Sequence, residues 1–351
     1  MILEFLRNGI RCGKYDNSLL PKELELAQKF GVARGTVRRA FDHLVAEGAV
    51  QRKKHVGTVL CDKKISEKHI CSVLRSSGHF YGDIFKCLQQ ICTENNYYLQ
   101  GVDVYGYEKP KMRKNIRRGI NSMLSLPVGN KFIVDGYLFD FFPMKEELLK
   151  TDPVFFDYFN MRRPVDVTGV MVDYYEIGRM GAKYLLEKGC RHPLLIIGDG
   201  PMAKERYAPE YFASHKTKKL IDGFSGYLQK AGLDPMLYIF FAPLQKKYLF
   251  EHLYDIFSFP ACQPDGIFVD SDSGMVQVLN IAKACGYMPK YTLGCFDTPW
   301  CRGEGGFVFP SLVISPEACA KALLEQVMLP KELRKDVYIK PYLPVMKGIK
   351  S

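Results

Sequence analysis

From residue 70 onward the chain alternates short apolar runs with segments of helical period, and this order restricts its possible folds more than any other feature. The spacing predicts strands over Ile70–Arg75, Tyr98–Val104, Gly136–Phe141, Val154–Tyr158, Pro193–Gly198, Tyr238–Phe241, Gly266–Val269 and Tyr291–Phe296. Between and after them it predicts helices over Gly82–Asn95, Lys111–Leu124, Tyr175–Lys188, Lys218–Ala231, Gln245–Phe257, Ser273–Cys285 and Pro316–Val327, with a further strand just before Asp173. Short apolar strands interleaved with amphipathic helices bury both faces of a sheet, which is the pattern of parallel α/β architecture. Roughly ten strands over this length imply two such sheets.

The first seventy residues read differently. They hold fourteen Lys and Arg against eight Asp and Glu, so +6 of the net +11 lies in one fifth of the chain. The other 281 residues share +5. A positive field concentrated in this way attracts polyanions, because neutralised phosphates release condensed counterions.

Pattern sharpens what charge suggests. Leu24, Ala27 and Phe30 recur at helical spacing, with Pro21 at the entry and Gly31 as the stop. From Thr36 to Glu47, Val37, Ala40, Phe41, Leu44 and Val45 form a second apolar stripe, closed by Gly48. The opposite face carries Arg38, Arg39, Asp42 and His43, and Arg34 lies at the entry. Two short helices joined by a tight glycine-containing turn form a helix-turn-helix, whose second helix can enter a major groove. Next, Ala49–Leu60 reads as two strands around a basic tip of Arg52, Lys53, Lys54 and His55, with Gly57 allowing the return.

The segment LLPKELELAQKFGVARGTVRRAFDHLVAEGAVQRKKHVGTVL resembles the winged helix-turn-helix of GntR-type bacterial transcription regulators, over about Ile2 to Leu60. The resemblance implies that Arg34, Thr36, Arg38 and Gly57 approach duplex DNA. Lys22, Arg39, Lys53 and Lys54 complete the candidate DNA-binding set on charge and position. The family commonly has serine where this chain has Lys22 and Ala33, and each serine would cap a helix. Lys22 is expected to exchange that cap for a phosphate contact.

After a polar linker, Asp62–His69, the segments VMVDYYEIGRMGAKYLLEKGCRHPLLIIG, LIDGFSGYLQKAGL, PDGIFVDSDSGMVQVLNIAKACGY, LGCFDTPW and PSLVISPEACAKALLEQV resemble, in order and spacing, the effector domain of lactose-repressor-type regulators. Such domains are similar to periplasmic sugar-binding proteins. The resemblance implies two doubly wound lobes joined by three crossings, with a ligand held at the carboxyl ends of the strands. Sugar sites combine carboxylates for hydroxyls with aromatics for the apolar ring face. The candidates are Phe80 and Tyr81 after the first strand, Asp140, Asp173, Asp270, and Asp297 with Trp300. The ordinary alternatives are core packing for the aromatics and helix capping for the aspartates, Asp272 foremost. Where the family pattern places a ligand-reaching arginine three residues before Gly223-Phe224, this chain has Leu220.

The expected fold is therefore α/β: a winged helix-turn-helix at 1–61, a linker at 62–69, and a two-lobed, doubly wound parallel-sheet effector and dimerisation domain at 70–351. The expected function is a cytoplasmic, non-enzymatic repressor of carbohydrate-utilisation genes. It would bind double-stranded operator DNA as a homodimer and respond to a carbohydrate effector, without cofactor, metal or membrane partner. Eleven cysteines, odd in number and without a C-x-x-C pair, argue against a disulfide framework. Seven histidines lack metal-ligand spacing, and no apolar run approaches roughly 20 residues. Two alternatives are a ligand-independent DNA-bound dimer and a nucleotide-binding enzyme domain. The second rests on Gly198, Gly200 and Ala203, a G-x-G-x-x-A pattern followed by the poor helix former KERYAPEYF.

Overall fold

The computed structural model describes residues 2–11, 14–15, 19–46, 49–60, 69–76, 79–106, 109–125, 131–136, 145–157, 167–198, 215–242, 246–298, 301 and 303–344. Three helices open the chain: α1 (Ile2–Arg11), α2 (Glu23–Phe30) and α3 (Arg34–Ala46). An antiparallel hairpin of β1 (Val50–Lys53) and β2 (Gly57–Leu60) follows, in the register Val50↔Leu60. Ile2 and Leu6 of α1, one turn apart, close a small core with Leu26, Val37, Phe41 and Leu44. Helix α2 stops where Gly31 takes the left-handed conformation at φ 63°, its N–H donating to the Ala27 and Gln28 carbonyls. The chain before α2 is tied to the hairpin by a Leu19↔Val59 bridge and by Leu20 N–H to Thr58 O at 2.9 Å.

Two apolar expectations fail here. Leu24 is 57% exposed and Leu26 takes the core position, because the buried face of α2 runs through Leu26 and Ala27 toward Phe30. Val45 is 39% exposed, since Val37, Ala40, Phe41 and Leu44 already fill the inward stripe of α3. That helix also starts two residues before the expected Thr36.

Among the described residues the body contains two sheets. The six-stranded sheet has the order β13-β7-β6-β5-β3-β4, where β3 is His69–Leu74, β4 Tyr98–Asp103, β5 Lys131–Asp135, β6 Val154–Phe156, β7 Thr168–Val172 and β13 Val337–Ile339. Strand β3 pairs parallel with β4 and β5, β5 with β6, and β13 with β7. The five-stranded sheet has the order β12-β11-β10-β8-β9, all pairs parallel, with β8 at Pro193–Gly198, β9 at Ile239–Ala242, β10 at Gly266–Val269, β11 at Tyr291–Cys295 and β12 at Ser311–Leu312. The helices are α4 (His79–Glu94), α5 (Pro110–Leu124), α6 (Lys145–Leu149), α7 (Tyr174–Glu187), α8 (His215–Lys230), α9 (Lys246–Ser258), α10 (Asp272–Ala284) and α11 (Pro316–Met328). The fold is thus α/β, with doubly wound parallel sheets following the N-terminal helices and hairpin in the chain. Among the described residues no helix is long and apolar enough to cross a membrane.

Compactness divides the chain into two units: Met1–Phe156 with Asp166–Gly169 and Ala320–Lys335, and Asp157–Val165 with Val170–Cys319 and Asp336–Ser351. In the first sheet β4 and β5 lie on opposite sides of β3, and in the second β9 and β10 lie on opposite sides of β8. The winding direction reverses at these points, and open α/β sheets bind ligands beyond the carboxyl ends of the strands there.

Some elements depart from the sequence reading. The strand expected over Gly136–Phe141 is β5, which ends at Asp135; Phe132, Ile133 and Val134 form its buried run, while 137–144 lie outside the described residues. His69, expected to end the linker, begins β3 and stacks on Tyr98 with ring centroids 5.9 Å apart. The rest of the linker, 62–68, lies outside the described residues. The short elements α6, β12 and β13 were too brief for periodicity to reveal.

Helices α7 and α8 cross backbone to backbone. A Cβ on Gly178 would sit 1.9 Å from Leu220 O, and one on Gly223 would sit 1.9 Å from Tyr175 O. The crossing buries Leu220, at 4% exposure, and Phe224, whose ring stacks on Phe268 at 6.3 Å. Leu220 is therefore a core residue of this helix pair.

Candidate functional site

The head turns a basic face outward. With Val37, Ala40, Phe41 and Leu44 buried, helical geometry puts Thr36, Arg38 and Arg39 in solvent. Lys53 ends β1, and Lys54 and His55 form the turn before Gly57. His55 (φ 65°) and Gly57 (φ 119°) adopt left-handed backbone, which folds the hairpin tip tightly. Arg38, Arg39, Lys53 and Lys54 are exposed, and among the described residues none has an acidic side chain within ion-pairing distance.

Arg34 and Arg52 behave differently. Glu23 accepts from Arg34 Nε at 3.0 Å and lies 3.7 Å from Arg52 Nη2, while Arg52 Nη1 reaches Asp42 at 2.8 Å. Arg52, expected in the free basic tip, instead ties the hairpin to α2 and α3. Sequence reading missed this because Glu23 and Arg52 are far apart in the chain. Lys22 precedes α2 in extended conformation. A lysine ammonium cannot accept a hydrogen bond, so the missing serine cap is offset from the other side, by Glu25 accepting from Lys22 N–H at 3.2 Å. At Ala33 the backbone closes the turn, with Thr36 N–H to Ala33 O at 2.9 Å.

In the first unit, the switch point between β3 and β5 carries Arg75 and Asp135. The guanidinium donates twice to the fully buried carboxylate, and its carbon lies 3.6 Å from the centroid of the Tyr81 ring. Phe80 and Tyr81 stand in the first turn of α4 rather than in a loop, packed edge-on to each other at 5.3 Å and around Phe156 at 6.3 and 5.9 Å. Both core packing and site geometry apply here, since these aromatics wall the strand ends beside Arg75. Arg75 and Asp135 were missed; their signal was position, the residue after one strand and the last of the next. Asp140 lies outside the described residues.

In the second unit, Asp173 is a helix cap: its Oδ1 accepts from Glu176 N–H at 3.0 Å at the start of α7. Asp272 is not. Ser271 caps α10, and Asp272, 2% exposed, accepts from Ser311 Oγ at 2.7 Å and from the Thr298 N–H. Burial pushes its carboxyl up to about 6; the bonds from Ser311 and Thr298 oppose that, and the charge of Asp297 adds to it. Asp297 follows β11 with φ 45°, its N–H donating to Ser311 Oγ at 2.9 Å. Asp272, Asp297, Thr298, Phe307, Phe309 and Ser311 line a cavity of about 260 Å³, near the small end of ligand pockets. Asp270 directly follows β10 at the second switch point. Lys216, another residue missed from sequence, places its ammonium 4.8 Å from the Tyr174 ring centroid and 5.8 Å from that of Phe296. Lys218, two residues before Leu220 on α8, pairs with Asp222 at 3.3 Å. Trp300, Gly200 and Ala203 lie outside the described residues, and Gly198 ends β8.

Residues 1–60 match the family described as bacterial regulatory proteins, gntR family. The probable transcriptional regulator PhnF of Escherichia coli is 49% identical over 55 residues, which cover 16% of this chain and 21% of that protein. The chain thus matches about a fifth of that relative's length. The arabinose metabolism transcriptional repressor of Halalkalibacterium halodurans is 23% identical over 308 residues, or 80% of this chain and 75% of the relative. Among solved structures, a periplasmic binding protein/LacI transcriptional regulator from Alkaliphilus metalliredigens QYMF, complexed with D-xylulofuranose, superposes with a TM-score of 0.56 at 19% identity. The alignment covers 79% of this chain and 97% of that one, so the body shares the fold of that regulator.

Proposed function

We propose that the chain is a DNA-binding transcription regulator, a repressor of carbohydrate-utilisation genes whose operator affinity is set by a sugar. In this reading residues 1–61 are the DNA-binding head, 62–69 the linker and 70–351 the effector-binding and dimerisation domain. The observation that carries it is the pairing of a gntR-matching head, whose outward cations Arg38, Arg39, Lys53 and Lys54 have no acidic partner among the described residues, with a body of LacI-type fold. The arabinose repressor, which is similar over most of the chain, supports the carbohydrate class. A two-fold dimer matches a pseudo-palindromic operator, each head reading one half-site. Arg38 reads base edges, Thr36, Lys53 and Lys54 hold phosphates, Arg39 and Lys22 add positive field, and Gly57 lets the wing approach the backbone. Asp270, Asp297 and Lys216, and separately Phe80, Tyr81 and Arg75, are polar and aromatic groups of the kinds that sugars require.

The test starts with a duplex selected by the full chain from a random library. Its affinity is measured with and without each member of a panel of pentoses, hexoses and ketoses. At least one sugar is expected to change affinity about 5- to 150-fold, and Asp297→Ala should abolish that response while leaving duplex binding intact. If no sugar alters binding, the ligand-independent dimer replaces this reading.

A further inference from the structure

The body's positive charge is concentrated on one helix. The ten residues 109–118, KPKMRKNIRR, hold six Lys and Arg and no acid, whereas the body as a whole carries only +5. Removing them leaves the rest of the body at −1. Ile116, Ile120 and Met123 are the buried side of α5. At roughly 100° per residue, Lys111, Lys114 and Arg118 fall on the opposite arc, Arg117 lies at its edge and Arg113 borders the buried stripe. They are exposed, and among the described residues no acidic side chain pairs with Lys111, Lys114, Arg117 or Arg118.

Other surface helices of the body interleave their charges: Asp83 with Lys86 on α4, Glu176 with Arg179 and Lys183 with Glu187 on α7, Lys218 with Asp222 on α8, and Lys321 with Glu325 on α11. Helix α5 does the reverse. Arg113 and Arg117, and Lys114 and Arg118, are like charges four residues apart, an arrangement that weakens a helix. Its first turn carries cations where acids would complement the dipole. A solvated helix gains nothing from this, whereas a helix facing an anion does.

We infer that α5 is a second DNA-contacting surface, which binds the phosphate backbone of duplex flanking the half-site held by the head. The inference rests on the DNA-binding reading of the head. Wing strand β2 ends at Leu60 and β3 begins at His69, so the intervening segment reaches at most about 30 Å. A head seated on its half-site therefore keeps α5 at high effective concentration near the same duplex. Backbone contact needs no sequence match, which suits a row of mixed Lys and Arg with no aromatic among them.

The experiment compares the full-length wild-type chain with the variant Lys111→Gln, Lys114→Gln, Arg117→Gln, Arg118→Gln. The duplex selected by the wild type is used trimmed to its sequence-selected half-sites, and again with three further helical turns of flanking sequence on each side. Both proteins are expected to bind the trimmed duplex alike. On the long duplex the variant's salt slope should fall by about 0.9 for each phosphate it no longer neutralises, with at least tenfold weaker binding at low salt. Equal slopes on the long duplex overturn the proposal for α5 while leaving the head intact. So does a loss confined to anionic phosphatidylglycerol vesicles, which would make the helix a membrane contact. If the wild type selects no duplex at all, the reading of the head fails first.

Discussion

Arg75 and Asp135 meet through two hydrogen bonds, of 2.6 and 3.1 Å, at the point where the first sheet reverses its winding. Asp135 is fully buried, so the pair is an ion bridge with little water on its acidic side. Removing Arg75 takes two hydrogen bonds and a counter-charge from a buried carboxylate: Arg75→Met alone should cost about 3–5 kcal/mol. Arg75→Met with Asp135→Leu should recover most of that loss, because the apolar pair leaves no buried charge. Urea denaturation of the two variants measures the difference, and an unaffected single variant would contradict the assignment.

In the head, Arg38→Ala should weaken binding to the selected duplex by about 1–3 kcal/mol and relax preference at one base pair. Lys53→Ala should weaken all sequences alike and lower the salt slope by about 0.9. Arg52→Ala addresses structure first: its half-exposed ion pairs should contribute only about 0.2–1 kcal/mol to head stability. Fluorescence anisotropy at several salt concentrations separates the three. A salt slope unchanged by Lys53→Ala would remove the wing from the interface.

Asp272 predicts an unusual pH response. Its folded-state carboxyl is raised from 3.8 to about 6, chiefly by burial, so the folded state binds the proton more tightly than the unfolded chain. Its contribution to stability is then full below about pH 4 and is lost as pH rises through about 6, the opposite of a salt-bridged aspartate. Subtracting the unfolding free energies of Asp272→Asn from those of wild type across pH 4–7 isolates it. The difference should slope downward with rising pH by no more than about 1.4 kcal/mol per unit. A flat difference would falsify the raised value.

The α7–α8 crossing should reject any side chain at its centre. Gly178→Ala and Gly223→Ala each drive a methyl into backbone and should destabilise by about 1–3 kcal/mol or more. Gly226→Ala on the same helix meets only Tyr175 Oη, at 3.7 Å, and should be neutral or stabilising by about 0.5–1 kcal/mol. Thermal unfolding of the three variants gives the ranking, and similar melting points for all of them would refute the close approach.

Periodicity made most of the fold legible. Strands β8 and β10 have the expected bounds, because their apolar runs are short and sharply bounded. It failed where polar context or brevity hid the signal, as in β13, three residues set among charges. The site was less legible, because function depends on which residue a strand ends on. Displacing β5 by a few residues directed attention to Asp140 when Asp135 held the switch point. A helix-capping aspartate and a buried one look alike in sequence. Asp173 proved to be the cap and Asp272 the buried acid, because Ser271 stands ready to cap α10 in its place. Lys216 could not be found from spacing, since its aromatic neighbours Tyr174 and Phe296 come from separate elements.

Glu23 grips Arg34, at the entrance of the reading helix, and also faces Arg52, on wing strand β1. One carboxylate thereby links the two parts of the head that would enter neighbouring grooves. A change at Glu23 would alter operator preference without removing any group from the DNA, by opening a calliper whose jaws are otherwise unchanged. Regulators with identical reading helices could drift to different operators through this hinge alone.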